Sequence, residues 1–238
     1  MVTDILPLKL QDAVVRKRGK TIIGPVDLEI RKQGLTVIMG PNGSGKTTLL
    51  RLMHGLERPR KGTVSWNSET GEAQERQAFV FQTPILLRRS TIDNIAYPLK
   101  LQNIPATQAQ AIAEEWLVQV GLDNARELNA SFLSAGEQQK LALARALACK
   151  PEILFLDEPT ANLDGRATRE IETILKDALF SGVRIVMTTH DTSQGKRLAD
   201  EVLFMYHGKI HEQGLSEPFF ANPITREAKA FLKGDIVE

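Results

Sequence analysis

Apolar and polar positions alternate at first along Leu8-Lys9-Leu10-Gln11-Asp12-Ala13-Val14-Val15, and throughout Val26-Asp27-Leu28-Glu29-Ile30. A period of two puts the apolar side chains on one face of a strand, so these segments predict a half-exposed antiparallel pair. The basic stretch Arg16-Lys17-Arg18-Gly19-Lys20 between them reads as a solvated hairpin turn. The pattern then changes to short apolar runs, Leu35-Thr36-Val37-Ile38-Met39, Ile153-Leu154-Phe155-Leu156 and Val183-Arg184-Ile185-Val186-Met187. Runs of this kind suit parallel strands covered on both faces. Residues 61–66 and 77–81 read as two more strands joined by a polar loop, and 201–205 and 209–213 as a closing pair.

Between the strands the apolar spacing is helical. A helix runs from the Lys46 region to near Gly55, with His54 in its last turn, where a histidine suits the helix dipole. Ile92, Ile95, Ala96 and Leu99, then Ala109, Ile112, Ala113, Trp116, Leu117 and Val120, mark helices over about 91–126, with Thr107 a candidate cap for the second. Leu141, Ala144, Leu147 and Ala148 share one face of a long helix opened by Ser134, and Glu137 three residues on completes a capping box. Amphipathic segments at 167–175 and about 218–232 follow. Strand and helix therefore alternate. The expected fold is α/β, a mostly parallel sheet with an N-terminal antiparallel β lobe and an inserted helical lobe. We divide the single 1–238 domain into a core with its β lobe (1–82 and 150–238) and a helical lobe with the long helix (83–149).

The chemistry begins where the first buried strand ends. Gly40-Pro41-Asn42-Gly43-Ser44-Gly45-Lys46-Thr47 matches the phosphate-binding loop of nucleotide-hydrolysing proteins, which makes the core that of a P-loop NTPase, RecA-like in type. The glycines permit positive φ and close backbone approach. Successive N–H groups and the helix N-terminus that includes Thr48 favour an anion. Lys46 can reach the β- and γ-phosphates of a nucleotide, and the Thr47 hydroxyl can ligate Mg²⁺. The fixed positions would coincide by chance in about one chain in a hundred of this length. A plain glycine-rich turn would not explain Lys and Thr where they stand.

Asp157-Glu158 ends the second apolar run, at the strand edge where ligands of open α/β sheets bind. Asp157 suits Mg²⁺, and Glu158 suits acceptance of a proton from the water attacking the γ-phosphate. Gln82 follows the strand at 77–81 and is a candidate for contacting metal or water. His190 ends the strand at 183–187 on the same edge, a candidate γ-phosphate contact. Alone, each would read as an ordinary strand-end polar residue; the upstream phosphate loop changes the weighting.

Composition adds bounds. The 238 residues carry 42% hydrophobic and 25% charged side chains, as in ordinary globular proteins, and a net charge of +1 that gives no electrostatic case for nucleic acid. The single cysteine, Cys149, excludes an internal disulfide and suits a reducing compartment. Met1-Val2-Thr3-Asp4 does not open a secretory leader, and no run approaches the roughly 18 apolar residues of a membrane span.

Taken together, these segments resemble the ATPase subunit of ABC transporters over nearly the whole chain. Leu133-Ser134-Ala135-Gly136-Glu137 is similar to the family's Leu-Ser-Gly-Gly-Gln signature, Ile153 to Glu158 to its Walker B strand, and Asn162-Leu163-Asp164 to its D-loop. Gln82 and His190 match the Q-loop glutamine and switch histidine. The resemblance implies a head-to-tail homodimer in which ATP lies between one phosphate loop and the partner's Ser134, Gly136 and Glu137, with Asp164 connecting the sites. It also implies transmembrane permease subunits contacted near Gln82, indirectly a periplasmic or extracellular solute-binding protein, and a peripheral place on the cytoplasmic face of the cell membrane. No nucleic-acid partner is expected. Three residues depart from the family pattern: Ala135 for glycine, Glu137 for glutamine, and Arg18 where an adenine-stacking aromatic is usual. A guanidinium plane also stacks on a base.

Val80-Phe81-Gln82-Thr83-Pro84, Leu86-Leu87-Arg88-Arg89-Ser90, Thr189-His190-Asp191 and Phe219-Phe220-Ala221-Asn222-Pro223 resemble the tungstate-importer group, so an oxyanion importer is the expected setting. The alternatives are an importer for another small solute, an exporter, and an ABC ATPase of DNA repair or translation. The last is disfavoured by the lack of a coiled-coil insertion or a second phosphate loop. A phosphoryl-transfer kinase would leave 133–137 without a function.

Overall fold

The computed structural model describes residues 4–68 and 70–235; the leader reading at Met1-Val2-Thr3 lies outside the described residues. The alternating segments form β1 (Leu8–Lys17) and β2 (Lys20–Ile30), antiparallel with Leu8 opposite Ile30 and Leu10 opposite Leu28. Their apolar faces are buried, although β1 changes phase between Leu10 and Ala13, where Asp12 at φ 48 interrupts the register, and β4 (Lys61–Ser65) adds to the free edge of β1. The turn between β1 and β2 is Arg18-Gly19, with Arg18 at φ 49.

The apolar runs become β3 (Leu35–Met39), β6 (Ile153–Asp157) and β7 (Arg184–Thr188), buried at every position. With β5 (Gln77–Val80), β8 (Glu201–Tyr206) and β9 (Lys209–Leu215) they form a second sheet, ordered β5-β6-β7-β3-β8-β9. All neighbours in it are parallel except β8 and β9. That order matters for function. It sets the C-terminal ends of β5, β6, β7 and β3 side by side, and these are the ends that lead to Gln82, Asp157-Glu158, His190 and the phosphate loop.

Helix α1 (Lys46–His54) packs with one face of this sheet and the antiparallel sheet around Leu8, Leu50, Met53 and Phe155. The other face is covered by α5 (Ala135–Ala148) and α6 (Gly165–Phe180). A third apolar cluster joins α3 (Thr91–Leu101), α4 (Ala106–Gln119) and α5 through Ile95, Leu99, Leu117 and Leu141. Helix α5 serves both clusters: Leu141, Ala144 and Ala148 pack on the helical side, while Leu143 and Leu147 pack on the sheet, so Leu147 leaves the face expected of it.

Several local expectations are corrected. The polar loop after β4 contains a short helix, α2 (Thr70–Glu75), and β4 and β5 belong to different sheets. Thr107 lies inside the first turn of α4 and caps nothing; Pro105, at φ −52, stands at the N-cap with its backbone already set for helix entry. Helix α7 (Thr192–Leu198) follows His190 directly, its end capped by Asp191. The C-terminal stretch is two helices, α8 (Ser216–Ala221) and α9 (Arg226–Lys233), separated around Pro223.

His54 does not act as a charged partner of the helix dipole. Its ring stands edge-on to Phe79 and Phe155, at 5.3 and 5.7 Å between centroids, and burial pushes its pKa down to about 4. Above the ordinary histidine pKa the ring is neutral in folded and unfolded chain alike. As pH falls from 6.5 towards 4, the unfolded chain takes up a proton that the folded chain refuses, so stability is lost across that window. The full loss is on the order of 3 kcal/mol. Urea titrations should give His54→Leu a flatter dependence of stability on pH between 6.5 and 4 than the native chain; equal slopes would contradict this origin.

Candidate functional site

The phosphate loop is shaped by three glycines at φ 141 (Gly40), 79 (Gly43) and 103 (Gly45). Two are also fixed by space. A Cβ on Gly40 would lie 2.1 Å from the Met205 carbonyl oxygen, and one on Gly45 2.4 Å from Ile23 Cγ2. Helix α1 starts without a side-chain cap, so its first-turn N–H groups face the loop. Ser44 is buried, and its hydroxyl has no hydrogen-bond partner among the described residues. Lys46 Nζ is folded back onto the carbonyls of Gly40 and Pro41, at 2.9 and 3.0 Å. Burial lowers its pKa, while Glu158 and Asp157 work in the opposite direction. An uncapped helix end, an orphaned hydroxyl and an ammonium held by two backbone carbonyls make a cradle that fits a polyphosphate.

The neighbouring strand ends are tied together by one hydroxyl. Thr188 Oγ1 donates to Asp157 Oδ1 at 2.9 Å and accepts from the Glu158 N–H at 2.9 Å. Thr47 Oγ1 donates to the same Asp157 oxygen at 2.9 Å. Glu158 has φ 45, and its Oε2 lies 3.1 Å from His190 Nδ1 and 3.5 Å from Gln82 Nε2. The structure thus gathers Gln82, Glu158 and His190, far apart in sequence, at one point. With Gly40, Pro41, Asn42 and Phe231 they line a cavity of about 490 Å³.

The signature segment does not line that cavity. Ser134 and Glu137 form the expected capping box: the Ser134 N–H and hydroxyl both donate to Glu137 Oε2, at 2.8 and 2.6 Å, and the Glu137 N–H donates to Ser134 Oγ at 3.4 Å. The Ser134 hydroxyl, followed by its N–H, holds the Glu137 pKa below the usual carboxylate value. Ala135 is the first helical residue and is free of positive φ, so its methyl group introduces no backbone strain. Gly136 has a packing reason as well, since a Cβ there would come within 2.9 Å of Ala167 Cβ on α6. Asp164 caps α6 by accepting from the Ala167 N–H at 2.7 Å. Arg18 sits on the exposed hairpin turn, outside the residues lining the cavity. Thr188 and Phe231 received no role from the sequence. Thr188 stands directly after the apolar Ile185-Val186-Met187 and two residues before His190.

A phosphate loop leading from a central parallel strand, beside two strand-end carboxylates, defines a P-loop nucleoside triphosphatase. Comparison with known proteins narrows this: the profile of the ABC transporter family matches residues 23–161, more than half of the chain, and the chain belongs to that family. It is 33% identical over 242 residues to the L-cystine transport system ATP-binding protein TcyN of Escherichia coli K12, covering 95% of this chain and 97% of that protein. It is 38% identical over 196 residues to the tungstate uptake system ATP-binding protein TupC of Peptoclostridium acidaminophilum, covering 82% and 92%. Among solved structures it superposes with a dimeric post-hydrolysis ATP-binding cassette, MJ0796, bound to ADP and Pi. The TM-score there is 0.78 at 25% identity, covering 88% of this chain and 99% of that one. The chain is therefore an ATP-binding, ATP-hydrolysing subunit of an ABC transporter, a class whose subunits pair and serve transmembrane permeases. No helix among the described residues is long and apolar enough to cross a membrane.

Proposed function

We propose that this chain is the energy-coupling ATPase of an importer, peripheral on the cytoplasmic face of the membrane, with Glu158 as the general base of hydrolysis. The observation that carries the assignment is the Glu158 carboxylate, which lines the phosphate cavity with Gln82 at 3.5 Å and His190 at 3.1 Å. In that position it accepts the proton of a water attacking the γ-phosphate, while His190 and Gln82 fix its orientation. Gly40 to Thr48 cradle the phosphates and Lys46 exchanges its backbone carbonyls for phosphate oxygens. The Thr47 hydroxyl and Asp157 carboxylate are hard oxygen donors 2.9 Å apart and fit Mg²⁺, while the amide of Gln82, the third expected ligand, lies 3.5 Å from Glu158. Bound there, Mg²⁺ neutralises charge on the β- and γ-phosphates.

The signature lies off the cavity, so in this reading it works in trans. The partner's helix end, with Ser134, Gly136 and Glu137, closes over ATP, and Asp164 sits where the two sites meet. Two helix N-termini and Lys46 offset a triphosphate better than one. Helix α5 then carries ATP-dependent motion between the core and the 83–149 lobe, since its side chains pack in both.

The preferred solute is an oxyanion such as tungstate, supported by the tungstate-uptake relative; the cystine relative, which covers more of the chain, supports an amino-acid importer as the second reading. The ATPase itself does not touch the solute. The test is purification of the chain with its membrane partners and solute-binding protein, followed by binding of tungstate and of cystine to that protein. Tungstate retention supports the first reading and cystine retention the second. Recovery of DNA or ribosomes with no membrane protein would overturn the transporter reading.

A further inference from the structure

Glu172 is a carboxylate in the middle of α6 with only 5% of its surface exposed. Such a group needs partners, and α7 supplies them. Arg197 approaches it with Nη2 at 2.6 Å and Nε at 3.2 Å, and Gln194 Nε2 lies 3.4 Å away. Gln194, fully buried, is the more informative neighbour. Its amide also meets Thr160, with Nε2 2.9 Å and Oε1 3.2 Å from the threonine hydroxyl oxygen.

Thr160 lies two residues after Glu158, in the turn that leads to Asp164. That turn is held by its own backbone, the Ala161 N–H donating to Glu158 O at 3.1 Å and the Leu163 N–H to Thr160 O at 3.3 Å. Gln194 lies four residues after His190, on a helix whose cap, Asp191, accepts from the N–H groups of Ser193 and Gln194 at 2.8 and 3.0 Å. The Gln194–Thr160 contact therefore joins the hydrogen-bonded turn that begins at Glu158 to the capped helix that follows His190. A displacement of α7 relative to the 158–164 turn would change the 3.1 Å approach of His190 Nδ1 to the Glu158 carboxylate. Glu172 and Arg197 in turn hold the amide in place.

We propose that Gln194 is a positioning residue for ATP hydrolysis, acting through Thr160 to hold the His190 and Glu158 segments in register. The inference rests on the assignment of Glu158 and His190 to hydrolysis, and it extends that assignment to a half-buried bridge outside the cavity. The phosphate cradle is built on β3 and α1, so nucleotide affinity does not depend on the bridge.

Gln194→Leu removes the amide at similar volume, and Thr160→Val removes the hydroxyl with its shape kept. Each should lower kcat by about ten- to a hundredfold while leaving the equilibrium affinity for ATP within about twofold. The double variant should be no slower than the slower single one, because both break one link. Thr160→Ser should retain most of the native kcat. Unchanged kcat in Thr160→Val, multiplicative losses in the double variant, or ATP affinity falling in step with kcat would overturn the proposal. Should Gln194→Leu fail to fold, the Thr160→Val and Thr160→Ser comparison decides it. Glu158→Gln measured alongside separates the two claims: an active Glu158→Gln removes the underlying assignment, whereas an inactive one beside a fully active Thr160→Val removes only the bridge.

Discussion

Glu158→Gln is expected to bind ATP as tightly as the native chain and to turn it over about a thousandfold more slowly. The amide keeps the size of the side chain and retains an acceptor oxygen towards His190 and Gln82, but it cannot take a proton from water at neutral pH. The loop proposed to cradle phosphate lies between β3 and α1 rather than at the end of β6, so binding should survive. The check is steady-state phosphate release beside equilibrium ATP binding, both on purified protein. Turnover within tenfold of the native chain would place the base elsewhere.

Lys46→Ala should fail at the preceding step. Lys46 is buried, and its ammonium is held by the carbonyls of Gly40 and Pro41, close to the cavity those residues line. Charge-assisted hydrogen bonds to phosphate oxygens contribute about 3 kcal/mol, so ATP affinity should fall about a hundredfold. The melting temperature should not fall with it, because the buried amine is a desolvated charge, as its lowered pKa indicates. Calorimetric titration with ATP and a thermal melt test both parts. Native affinity in Lys46→Ala would mean that the cradle holds phosphate through its backbone alone.

The features legible in the sequence are those set by neighbours along the chain. The phosphate loop needs glycines, a lysine and a threonine at fixed spacing, and the structure places them between β3 and α1 as that spacing requires. The Ser134 and Glu137 capping box is likewise local and is present with both bonds. The gathering of Gln82, Glu158 and His190 could be inferred only through strand order, since it depends on β5, β6, β7 and β3 lying adjacent. Thr188 and Gln194 escaped for a related reason: their partners are about 30 residues away, Asp157 and Glu158 for one and Thr160 for the other. Phe231 reaches the cavity from the C-terminal helix, through packing on Phe204 that no local pattern encodes. Thr107 looks like a cap in the sequence because it stands near a helix start, but Pro105, two residues earlier, sets the entry.

The central claim is that ATP is held between two copies of this chain, each phosphate loop facing the other's signature. Light scattering on Glu158→Gln, with and without ATP, tests it most directly, because the slowed variant keeps its nucleotide. Twice the monomer mass with ATP, monomer without it, and monomer again when Ser134→Arg is added would bear the account out. A mass that stays monomeric at saturating ATP would contradict it.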